Sequence, residues 1–78
     1  MNEPDSFVQV AELEAEVERL EQEREQCEAQ TRRLLEAEAN GGPSQAGQIH
    51  RLKQRKMMLG TQMQHLRAKA SALKLGVY

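Results

Sequence analysis

Three side chains of this 78-residue sequence belong to types that bind soft metals or attack electrophiles: Cys27, His50 and His65. A zinc site needs such groups inside one coordination sphere. Helical spacing points His50 and His65 to different faces, both off the line that holds Cys27, so the three do not converge. No histidine or oxyanion donor then stands beside Cys27, and the thiol reads as a small buried hydrophobe. Gly42-Pro43-Ser44-Gln45-Ala46-Gly47 has the glycine spacing of a phosphate loop. Gln48 and Ile49 occupy the places where that loop needs Lys and Ser/Thr, and no strand precedes it. The expectation is a chain that is not an enzyme and uses no cofactor or metal.

The other chemically eligible stretch is the run Arg51-Leu52-Lys53-Gln54-Arg55-Lys56. Basic helices bind phosphates, so a small nucleic-acid-associated protein using this helix is the alternative reading. The stretch has no interleaved aromatic residue for stacking on bases, and an acidic segment elsewhere in the chain offsets its field. Nucleic acid is therefore the less favoured partner.

Elements that could position these groups follow from spacing. From Ser6 to Ala39, Val10, Leu13, Val17, Leu20, Arg24, Cys27, Thr31 and Leu34 recur at alternating steps of three and four, a heptad seam on one helix. Ser6 and Gln9 have the spacing of a capping box. Asn40-Gly41-Gly42-Pro43 supplies a left-handed cap residue and then a residue that cannot continue the helix. The turn is expected over 40–44 and a second helix over 45–75, with Ser44 placed to cap it. Its seam is Ile49, Leu52, Lys56, Leu59, Met63, Leu66, Ala70, Leu73 and Val77. Gly60 interrupts this helix at about 1 kcal/mol relative to Ala, and Gly76 marks its end.

All twelve acidic residues precede Asn40, where they face four arginines and leave −8; the segment beyond carries seven Lys or Arg and no acid, +7. Folding the chain at Gly41 and Gly42 sets Leu34 across from Ile49, Leu20 from Met63, Val17 from Leu66, Leu13 from Ala70 and Val10 from Leu73. Phe7 meets Tyr78 at the open end. Glu14, Glu21 and Glu28 then line one edge of the first seam and Glu16 and Glu23 the other. Lys53, Arg67 and Lys74 stand on one edge of the second helix, with Arg55 and Lys69 on the other. A parallel pairing of two first helices would set glutamate against glutamate. The fold class is all-α: an antiparallel two-helix coiled-coil hairpin, one domain over 1–78.

Midway along the seam, Arg24, Cys27, Thr31 and Lys56 bring polar groups to one level. Two readings stand: a polar layer that fixes register or oligomeric state, or stems packed in the seam with the Arg24 and Lys56 heads in water. Met57 and Met58 fall off the seam, where flexible thioethers suit an adaptable partner contact or are simply tolerated at the surface. Two helices share only one thin apolar stripe, and a chain this short is near the lower limit for a stable core. The hairpin is accordingly expected to assemble as a dimeric four-helix bundle or to pair with another helical protein. The start of the sequence lacks the features of a secretory leader, and Met57-Met58-Leu59 is too short to span a bilayer. With a single cysteine, a cytoplasmic setting is expected.

The stretch from Ile49 to Met63 resembles the signature of the YdcH-like family of small bacterial proteins of unknown function. Leu52, Lys53, Lys56, Leu59, Gln62 and Met63 match that pattern in kind, and Met57 stands at its first Leu after the Lys. Gly60-Thr61 replaces the usual Lys-Asp, Cys27 takes the place of a Leu, and the first helix is longer than the pattern has it. The resemblance covers about a third of the chain. It implies a cytoplasmic bacterial helical hairpin and carries no biochemical activity. The functional expectation is thus a non-enzymatic interaction or scaffold module acting through protein–protein contacts and self-association.

Overall fold

The computed structural model describes the backbone of residues 3–76 and the side chains of residues 6–76. Two helices, α1 (Glu3–Ala39) and α2 (Ala46–Leu75), pack against each other along a hairpin, and no strand occurs among the described residues. The molecule is a rod of 59 × 14 × 12 Å with a radius of gyration of 17.6 Å. A compact globule of this length would have about 11–12 Å. This elongation limits the core to what two helices cover between them.

The helix ends follow from local chemistry. α1 begins at Glu3, ahead of Ser6, so Ser6 sits inside the first turn rather than capping it. Pro4 is tolerated in a first turn, where its missing N–H would be unpaired anyway. At the other end Gly41 takes φ +95°, with its N–H donating to the Glu38 carbonyl at 3.1 Å and the Gly42 N–H to the Ala37 carbonyl at 2.8 Å. These two bonds form a Schellman motif, so Gly41 rather than Asn40 is the left-handed residue. α2 starts one residue later than expected, and Gln45, not Ser44, is its N-cap, without a side-chain capping bond. Gly76 ends it in the left-handed region at φ 73°, its N–H directed at the Ala72 and Leu73 carbonyls.

The core is one stripe. Val17, Leu20 and Cys27 of α1 form a cluster with Leu59 and Met63 of α2, and Leu52 and Leu66 pack against it. Leu59 and Met63 are completely buried; Val10, Ile49 and Ala70 are buried further along. Leu13, Leu34, Leu52, Leu66 and Leu73 are half-buried. Val77 and Tyr78, including the expected contact of Tyr78 with Phe7, lie outside the described residues. Phe7 itself is 78% exposed.

Two glycines test this account in opposite directions. Gly60 lies mid-helix at an ordinary φ, and a Cβ there would meet nothing within 4 Å. Gly60→Ala should stabilise by about 1 kcal/mol, raising Tm by roughly 4–8 °C for a domain of this size. Gly41→Ala should lower Tm, because a Cβ in the left-handed region costs about 1–2 kcal/mol. Thermal denaturation followed by circular dichroism checks both.

Candidate interaction site

Both edges of the seam carry cross-helix ion pairs. On the first edge, Lys74 Nζ donates to Glu14 at 2.7 Å, Lys56 Nζ meets Glu28 at 2.7 Å, and Arg67 lies 3.8 Å from Glu21. On the second, Arg55 Nε and Nη2 both donate to one Glu23 oxygen, at 2.9 and 2.6 Å. Glu21 is also 3.6 Å from Arg24 on its own helix, and Glu16 pairs with Arg19. These groups are exposed or partly so, and such pairs contribute about 0–1 kcal/mol each. Their larger effect is to disfavour other registers, which would set like charges together.

The polar residues expected in the middle of the seam do not form a layer. Lys56 leaves the seam to reach Glu28, its side chain 45% exposed, and Arg24 stays at the border. The Thr31 hydroxyl turns back to its own helix and donates to the Cys27 carbonyl at 2.8 Å. Cys27 alone is buried there, as a free thiol. Long aliphatic stems let Arg and Lys cover the seam while their charges stay hydrated, so a heptad position does not oblige the head group to enter the core.

His50 and His65 are both exposed. About 22 Å of helix axis separates them as well. Among the described residues no three His, Cys, Asp or Glu side chains stand close enough to hold a metal ion. A shallow groove lies on the first edge, where Glu14 and Lys74 stand beside Val17 and Ala70. In the basic run, Arg55 and Lys56 are held by glutamates of α1, while Arg51 and Lys53 have no ion-pair partner among the described residues.

What the apolar pattern did not disclose is the outer side of α2. Gln54, Thr61, Ala68 and Leu75 follow one another at heptad spacing directly opposite the seam, all exposed. Met57 (69% exposed) and Met58 (57%) flank this line, as do Gln64 and His65. From Gln54 to Leu75 no Asp, Glu, Lys or Arg falls on this face. Weak hydrophobicity hid it; the spacing of the basic residues, none of which falls on this face beyond Gln54, was the available signal.

Comparisons with family models, with curated proteins and with solved structures find no match to this chain. No helix among the described residues is long and apolar enough to cross a membrane.

Two measurements follow from this geometry. The hydrogen bond from Lys56, and then its charge, hold the Glu28 carboxyl below the usual glutamate range. A carboxylate whose pKa is lowered by folding contributes stability at neutral pH that is lost as pH falls through its folded value. A carbon-detected NMR titration should place the Glu28 midpoint below that of an ordinary exposed glutamate, and Lys56→Met should move it upward. Cys27, being buried, should react with a thiol reagent at least roughly tenfold more slowly in the native chain than in denaturant. Equal rates would show that the middle of the seam is open.

Proposed function

We propose that this hairpin is a non-enzymatic interaction module that works through protein–protein contacts, including association with further copies of itself. The observation that carries the reading is exposed surface. A compact monomer of 8.9 kDa has about 4,800 Å² of accessible surface by mass scaling, whereas this chain has 5921 Å². The excess of roughly 1,100 Å² exceeds the ~800 Å² that each partner contributes to a standard interface. Large apolar side chains share in it: Phe7, Val8, Leu35, Met57, Met58 and Leu75 are all exposed.

The smallest such assembly is a homodimer of four helices. A cytoplasmic, bacterial setting and membership of the YdcH-like family belong to the same proposal, and the Ile49–Met63 pattern supports them. The nucleic-acid alternative has less support, since two of the four bases in its run are already held by α1.

Sedimentation velocity from low micromolar to about millimolar chain tests the reading. The millimolar limit corresponds to only about −4 kcal/mol of binding free energy. Sedimentation coefficients that rise with concentration are expected. A single well-folded monomer over the whole range would contradict self-association.

A further inference from the structure

The outer face of α2 is unusual less for apolarity than for lack of charge. α2 carries seven Lys or Arg in the segment beyond the turn, yet between Gln54 and Leu75 its outward side has none. A merely solvated helix has no need of such an exclusion, because charged residues are tolerated on any face that meets water. Removing charge from a face lowers the desolvation cost of covering it. Small or flexible residues there, Thr61, Ala68, Met57 and Met58, permit close approach and adaptation.

α1 has a matching line on its own outward side. Val8, Ala15, Gln22 and Ala29 recur at heptad spacing opposite the seam; the first three are exposed and Ala29 is half-buried. Glu12, Glu18 and Glu25 border this line, and none has an ion-pair partner among the described residues. Arg19, also at its border, is taken by Glu16. The bases without such a partner on α2, Arg51 and Lys53, border or neighbour its outer face. Charges that the seam leaves unused are thus acidic beside the outer line of α1 from Glu12 to Glu25, turning basic only at Arg32 and Arg33 near the turn, and basic beside that of α2.

We infer that the uncharged outer face of α2 receives the outer face of α1 from a second copy of the chain, repeating on the outside the acidic-to-basic pairing of the seam. This rests on the self-association reading above and specifies its contact. Pairing two α2 faces would bring together two segments of +7 with no acid in either. Pairing α2 with the α1 of another copy places each basic helix between two acidic ones. Because the two outer lines lie on opposite sides of the rod, one such contact leaves a free α1 face at one end of the stack and a free α2 face at the other. The contact is heterologous, and copies add head to tail rather than stopping at a closed pair.

Two substitutions at different levels of the rod test the assignment: Met57→Glu blocks the α2 face and Ala15→Lys blocks the α1 face. Both positions are exposed, and circular dichroism confirms that each variant keeps its helicity. In sedimentation velocity, each variant alone should need at least a tenfold higher concentration than the parent chain to associate. An equimolar mixture should form a discrete two-chain species, because the intact α2 face of one variant meets the intact α1 face of the other. Raising salt from about 50 to 500 mM should weaken association of the parent chain, as expected for opposite charges. If Ala15→Lys alone associates like the parent while Met57→Glu does not, the contact joins two α2 faces and the inference is overturned. It also falls if both variants associate normally, or if the mixture stays monomeric while the parent associates; self-association survives either result. A parent chain that is itself monomeric removes both.

Discussion

Everything in this molecule depends on matching one acid-bordered apolar stripe to one base-bordered apolar stripe. The stripe supplies the burial: Leu59 and Met63 lose all contact with water, and Val17, Leu20 and Cys27 close over the same cluster. Ion pairs at its rim add little energy individually. They restrict the arrangement instead, because Glu14, Glu21 and Glu28 on one side and Glu23 on the other meet bases only when the second helix runs back along the first. With all acids before the turn and none after it, parallel pairing of like helices is penalised along the whole length.

That same economy leaves the rod short of burial. Two helices cover one side of each other, so the sides facing away must be either hydrated or partnered. From Gln54 onward α2 separates these demands: its charges keep to the seam and its edges, and its outward side is left neutral.

Much of this was legible in the residue order. The steps of three and four from Val10 to Leu34 and from Ile49 to Leu73 mark the faces that the hairpin covers, because burial of a stripe is what a heptad pattern encodes. The turn was legible in Gly41-Gly42-Pro43, since only a narrow set of residues ends one helix and reverses the chain. Side-chain reach was not. Lys56 occupies a seam position by spacing, but its long stem allows the ammonium to leave for Glu28. Helix starts were also misplaced: Ser6 and Ser44 resemble caps by type, while α1 extends back to Glu3 and Gln45 precedes α2. Capping preferences amount to about 1 kcal/mol, small enough for neighbouring turns to override. The outer face of α2 escaped notice because a search for apolar periodicity passes over glutamine, threonine and alanine.

The central claim is that acidic and basic helices pair within one chain. Double electron–electron resonance between spin labels at Gln22 and Thr61, in a Cys27→Ala background, addresses it directly. Both labels sit on outward faces at the same level, so a closed hairpin gives a distance of about two helix diameters, roughly 20–30 Å. That distance should persist unchanged when labelled chains are diluted with a large excess of unlabelled ones. Its disappearance on dilution would mean that the helices pair between chains, and the hairpin account would be wrong.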